Sequence, residues 1–312
     1  MAIFDRIEFI FAVEIYPMKK SLFVLSALAL FLVSCEKEEN SASFPYLPEL
    51  NENLVLRTEE DANILVSYFT NTPGQLCGFS DSTYDSSTNT YTLAFNGVNC
   101  DGDILREGII SAQLITGSNW NDLGAQIKVT FQNYQIQFAN TGQNAVLNGE
   151  RIFTNNSGNQ TLNDLQIGVG EIKLSCSGTI SVEFNGESYM SWTESYSRTL
   201  RKLDFGNFVA ITKPTSTGLP YTNVVRWGTN SNGANYYNTI EDSIQSQLCF
   251  GNWKRFDGKY TIYSDANNGP TQLILGYNNS NSPIASNCEA AKIKVLWVND
   301  LGQTVESFRF IY

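Results

Sequence analysis

The sequence predicts an all-β protein made of antiparallel sheets, sandwich-like or as stacked hairpins, with one short helix near its N-terminus. Three observations carry this. From Thr90 onward, apolar and polar residues alternate with period two over many short segments. Clusters of Asn, Gly, Ser and Thr, which favour turn conformations, separate those segments. Tyr and Phe, which suit strands, number 15 and 19.

The helix is expected within residues 51–74. Thr58 can cap an N-terminus, and Glu59, Glu60 and Asp61 would fill the first turn, where the helix dipole favours acids. Ile64, Leu65, Tyr68 and Phe69 repeat at helical spacing, and Thr72-Pro73-Gly74 stops the element. The strands follow. Tyr91, Leu93 and Phe95 share one face. Ile127, Val129 and Phe131 form a second set, Tyr134, Ile136 and Phe138 a third, and Ile180, Val182 and Phe184 a fourth. Each alternates with polar residues, the pattern of a strand with one buried and one wet face. Asn185-Gly186 supplies the positive φ angles of a two-residue hairpin turn and leads into a strand at Ser188–Trp192. Further strands are expected near Asn223–Trp227, Lys259–Tyr263, Gln272–Tyr277, Lys292–Val298 and Val305–Tyr312.

An internal repeat suggests two related β modules, 75–200 and 201–312. Asn121-Asp122-Leu123-Gly124 recurs as Asn299-Asp300-Leu301-Gly302, each with a Trp just upstream, Trp120 or Trp297. Each also follows the order Cys, strand, Cys, strand. That order favours the pairs Cys77–Cys100 and Cys249–Cys288, although spacing by itself does not fix connectivity. Cys176 is then left as a lone thiol on a strand, expected to be buried rather than nucleophilic.

Met18 to Ser34 has the form of an export signal. Lys19 and Lys20 form a basic start, Leu22 to Val33 an apolar run, and small Ser34 precedes Cys35. The apolar run is far shorter than the roughly 20 residues of a spanning helix. Leu32-Val33-Ser34-Cys35 fits a lipobox, which makes Cys35 the lipidated first residue of the mature chain and the lipid bilayer its first partner. An ordinary cleaved signal, with Cys35 incidental, is the alternative. Residues 1–17 carry Asp5, Glu8 and Glu14 and suit neither part of a signal, so Met18 is the expected start. Residues 35–50 read as a flexible tether. Glu36-Lys37-Glu38-Glu39 resembles the lysine-plus-acids signal that sends Bacteroidota lipoproteins to the outer face of the outer membrane.

Composition narrows the chemistry. There is no histidine, which removes Ser-His-Asp and Cys-His catalysis, His-bearing zinc sites and His acid–base work. A net charge of −11 argues against nucleic acid as a partner. No phosphate-binding glycine loop opens a helix after a strand, and no cofactor or metal is implied. Asn99, Asp101 and Asp103 offer oxygen ligands, but the loop lacks the sixth-position Gly and distal Glu of an EF-hand. A carboxylate pair drawn from Glu183, Glu187 and Glu194 is the enzymatic option that remains. Trp120, Trp192, Trp227 and Trp253 could stack on sugar rings, though aromatics also build strand cores. Trp227, Tyr236 and Tyr237, beside a Gly-Asn loop, are the candidates for an exposed ligand-binding surface.

Cys100-Asp101-Gly102, Arg106-Glu107-Gly108-Ile109-Ile110, Phe131-Gln132-Asn133-Tyr134 and Leu147-Asn148-Gly149-Glu150-Arg151 resemble segments of a group of uncharacterised Bacteroidota lipoproteins. The resemblance implies an exported, β-rich lipoprotein and brings no functional residues with it. The function expected from all of this is non-catalytic binding of a glycan or protein ligand at the cell surface. A structural subunit of an envelope complex and a carboxylate-dependent hydrolase are the alternatives.

Overall fold

The computed structural model describes residues 48–69, 78–99, 102, 104–139, 142–159, 164–165, 170–186, 188–202, 208–241, 243–249, 252–267, 269–299 and 301–310. The signal segment, Cys35 and the rest of the tether up to residue 47, Cys77, Cys100 and the Thr72-Pro73-Gly74 stop lie outside them, whereas residues 48–50, expected in the tether, begin the helix.

Among the described residues the architecture is all-β with one long helix. Helix α1 (Pro48–Tyr68) leads into strands β1 (Phe79–Asp85), β2 (Thr90–Val98), β3 (Ile104–Thr116), β4 (Gln126–Phe138), β5 (Asn144–Asn155), β6 (Ile172–Phe184), β7 (Ser188–Lys202), β8 (Phe208–Pro214), β9 (Val224–Thr229), β10 (Asn235–Ile240), β11 (Ile244–Cys249), β12 (Asn252–Asp257), β13 (Lys259–Ser264), β14 (Thr271–Tyr277), β15 (Lys292–Val298) and β16 (Thr304–Phe310). All pairings are antiparallel. The main path is β1-β2-β3-β4-β5-β6-β7-β9-β10-β13-β14-β15-β16, and β8, β11 and β12 branch from β7. β7 runs through the boundary expected at 200/201, and residues 45–312 form one compact unit.

The helix begins ten residues before Thr58. Pro48 is tolerated in a first turn, where its missing N–H has no intrahelical partner to lose. Thr58 lies mid-helix, and its hydroxyl donates back to the Val55 carbonyl at 2.9 Å. The acids that resemble a capped start therefore serve another purpose, taken up below. Leu54, Val55, Ala62, Leu65 and Val66 are buried.

The two expected strands around Phe131 and Tyr134 are one strand, β4. Their apolar positions change phase, from odd to even numbers, and Gln132-Asn133 is the cause. Asn133 takes a positive φ of 46°, and the ladder to β5 jumps from Phe131 to Tyr134. This bulge keeps Ile127, Val129, Phe131, Tyr134 and Ile136 on one buried face. Gly108 on β3 lies against it, where a Cβ would stand 2.6 Å from the Asn133 carbonyl oxygen.

The Asn185-Gly186 hairpin forms, with φ of 50° and 75°, but not with the two-residue turn expected. Its loop is three residues long, since Phe184 pairs with Ser188. The repeated Asn-Asp-Leu-Gly makes two different turns. Asn299 bonds Gln303 through both its backbone N–H and its side-chain oxygen, each at 2.9 Å. Asn230 with Ala234 and Asn278 with Ser282 repeat that geometry. At the first copy it is Asp122 that accepts, from the N–H groups of Ser118 and Asn119 at 2.7 and 3.0 Å. The four-residue match therefore does not carry a shared turn geometry. Leu123 and Leu301 stand exposed at the two tips.

The Cys249–Cys288 pair is a disulfide, with Cα atoms 5.6 Å apart across a sequence separation of 39. It ties the end of β11 to the short 3-10 turn Asn287–Glu289. Closing a loop of that length stabilises by about 4 kcal/mol in the chain-entropy treatment. Replacing both cysteines with serine should lower the denaturation free energy by a comparable amount; an unchanged urea midpoint would contradict this.

Candidate functional site

Two regions of the sheet carry the chemistry, one on each face. The face toward the helix is polar at its centre. Arg151 on β5, Gly178 on β6, Glu194 on β7, Arg226 on β9 and Asn238 on β10 form one transverse row of register partners. Gly178 lets Arg151 cross β6, and Arg151 Nε lies 2.7 Å from Glu194 Oε1. Arg226 Nε stands 3.8 Å from the other carboxylate oxygen. Arg151 and Glu194 are fully buried, at 0% and 2% exposure. This answers the carboxylate-pair expectation. Glu194 is held between two guanidiniums on the inner face, Glu183 lies on the outer face of β6, and Glu187 is outside the described residues.

One turn of the helix completes the network. Arg151 Nη2 donates to Thr58 Oγ1 at 3.0 Å. Glu59 pairs with Arg198 of β7 and, at 3.4 Å, with Arg255 of β12. Asp61 pairs with Arg106 of β3 at 2.6 Å and accepts from the Tyr134 hydroxyl of β4 at 2.7 Å. Strands stand about 4.8 Å apart, so β3 and β7 would be about 19 Å apart on a flat sheet. Side chains two residues apart on one helix reach both. Burial by itself would push the Glu59 carboxyl up, but the fields of Arg198, Arg255 and Arg151 overcome it and hold the group down at about 2. Burial pushes Asp61 up against the opposing pull of Arg106.

Cys176 is a buried free thiol on β6, as expected. Burial, reinforced by the Glu194 carboxylate, pushes its thiol far above the ordinary range, so it stays protonated and inert.

The outer face carries the aromatic candidates. Trp227 on β9 faces Tyr237 on β10, and Tyr237 faces Tyr263 on β13. Their neighbours Arg226, Tyr236 and Ile262 point inward and are buried, so these three rings line up on the opposite, wet face, each half-buried. Tyr221, from the loop between β8 and β9, is 40% exposed and stacks on Tyr263 with ring centroids 4.1 Å apart and planes 12° from parallel. It also lies 5.3 Å from the Tyr237 ring. Thr193, Thr229 and Asn235 flank the ridge with hydroxyl and amide groups.

Sequence reasoning therefore placed Trp227 and Tyr237 on one surface and missed Tyr263 and Tyr221, which come from elements distant in the chain. Tyr236 is a correction. It is 4% exposed and belongs to the core, because adjacent strand residues face opposite sides. Trp120 and Trp192 are also core residues, and the side chain of Trp253 lies outside the described part. Asn99 uses its side-chain oxygen to accept the Ile104 N–H at 3.1 Å, and Asp101 and Asp103 are outside the described residues. Among the described residues no group of three or more His, Cys, Asp or Glu side chains gathers as a metal site, and no helix is long and apolar enough to cross a membrane. Comparison with known proteins finds no matching family model, curated protein or solved structure.

Proposed function

We propose that this protein is an exported lipoprotein, anchored through Cys35 at the outer membrane, whose β domain acts as a non-catalytic binding module at the cell surface. The observation that carries the binding role is the outer-face ridge of Trp227, Tyr237, Tyr263 and Tyr221. A row of half-exposed rings flanked by hydroxyl and amide groups suits a ligand with flat apolar faces and many hydroxyls, which describes a glycan. Among the described residues, the buried carboxylates Glu59 and Asp61 of the helix and Glu194 of the sheet are each engaged by arginine, which favours binding over hydrolysis. The lipobox, the acidic tether and the similarity to Bacteroidota lipoprotein segments support the location.

Glycan-array screening of the protein tests the ridge. A retained glycan should bind Trp227→Ala/Tyr237→Ala at least tenfold more weakly, the effect of losing about 1.4 kcal/mol of ring contact. Equal binding by the double variant would remove the ridge from the proposal. Mass spectrometry of the mature N-terminus tests the anchor separately, through a diacylglyceryl modification on Cys35.

A further inference from the structure

We infer that the aromatic ridge is one end of a longer track, and that its ligand is a neutral, unbranched polysaccharide lying across the strands. This rests on the glycan-binding reading above and names the class of glycan. Trp227, Tyr237 and Tyr263 are register partners on β9, β10 and β13, so they follow one line perpendicular to the strands. The same line continues from Trp227 to Thr193 on β7 and Thr179 on β6. Both threonines are on the outer face, because Ile180, Trp192 and Glu194, next to them in the chain, are buried on the inner one.

The geometry selects an extended chain over a single sugar. Two residues along each strand from the three rings stand Val225, Thr229, Asn235, Thr239, Thr261 and Asp265, none of them aromatic. A ligand that meets all three rings therefore runs across the strands. Tyr221 adds a fourth ring at the same end. From Tyr263 to Thr179 the line crosses β13, β10, β9, β7 and β6. At about 4.8 Å per step it spans about 19 Å, room for roughly four pyranose rings end to end. The aromatic end offers apolar faces on which sugar rings stack. At the other end the Thr179 and Thr193 hydroxyl oxygens are 2.9 Å apart and share one hydrogen. Their second hydrogen and their remaining lone pairs serve sugar hydroxyls. Rings set in one line suit a chain that keeps successive pyranose faces in line, as equatorial β-1,4 links do.

Charge sets the class. No charged side chain interrupts the line, and the neighbouring line of Ser181, Ser191, Thr229 and Asn235 is uncharged too. Charges stand at the margins. Glu150, 4.0 Å from Lys128, follows Thr179 on β5, and Asp265 accepts from the Asn235 side-chain amide at 3.1 Å. A uronic-acid or sulfated chain meets no cation along either line, and a net charge of −11 opposes its approach.

The test measures binding of the full-length chain to two ladders of oligosaccharides, each from disaccharide to octasaccharide. One ladder is neutral, β-1,4-linked glucose, mannose and xylose; the other is acidic, α-1,4-linked galacturonate. In a neutral series the affinity should rise about tenfold or more between the disaccharide and the pentasaccharide and then level off. Galacturonate of equal length should bind at least about tenfold more weakly. Thr179→Ala/Thr193→Ala should cut the gain from disaccharide to pentasaccharide by about fivefold, whereas Trp227→Ala should weaken every length. An affinity independent of length, equal binding of the acidic ladder, or a glycan retained on the array with no binding of the neutral ladder would overturn this inference and leave a glycan role at the ridge standing. No binding to any glycan would overturn that role and this inference with it.

Discussion

Replacing Glu59 with glutamine should destabilise the protein by roughly 3–5 kcal/mol, the range for breaking a buried ion pair from one side. The substitution leaves Arg198 and Arg255 at 17% and 10% side-chain exposure without their carboxylate. The effect should also depend on pH in a defined direction. The folded-state value of Glu59, about 2, lies below its ordinary value of 4.5. Its ion pairs therefore contribute fully above about pH 4.5, roughly 3 kcal/mol by linkage, and that contribution is lost as pH falls toward 2. The stability gap between wild type and Glu59→Gln, measured by urea denaturation at successive pH values, should close across that window. A gap that stays constant from pH 7 to 2 would show that Glu59 acts through shape rather than charge.

The second large effect should come from one carbon atom. Gly178 has an ordinary negative backbone φ, so alanine there would normally stabilise by reducing the freedom of the unfolded chain, by about 0.4–1 kcal/mol. Here a Cβ would stand 2.2 Å from the Glu150 carbonyl oxygen and 2.8 Å from Arg151 Cα, both backbone atoms of the adjoining strand. Strands β5 and β6 would have to separate where Arg151 crosses to Glu194. Gly178→Ala should therefore cost at least about 3 kcal/mol, overpacking and a disturbed buried ion pair acting together. The sign decides the matter: a variant as stable as wild type would mean that the close approach of the strands is not a real constraint.

How far the sequence could be read depended on whether a feature was local. Period-two alternation revealed the strands because each side chain's facing follows from its own backbone. Strands such as β8 and β10 escaped notice because they are short and buried on parts of both faces, which blurs the alternation. The phase change in β4 was visible as two strands, since a bulge cannot be told from a loop without its partner. Thr58-Glu59-Glu60-Asp61 matched a helix start by composition. Only the arginines of β3, β7 and β12 show that these acids face inward, and no pattern near residue 58 announces them.

By itself the amino-acid order determined the all-β class, a helix near the N-terminus, the Asn185-Gly186 hairpin and the buried state of Cys176. These rest on backbone preference and on interactions within a few residues. The tertiary structure alone decided which way Tyr236 and Tyr237 face, that Tyr221 and Tyr263 join Trp227, and that four scattered arginines meet one turn of helix. The physical reason is that strand order brings together residues up to 196 positions apart, as with Arg255 and Glu59, and nothing in the local chain encodes that meeting.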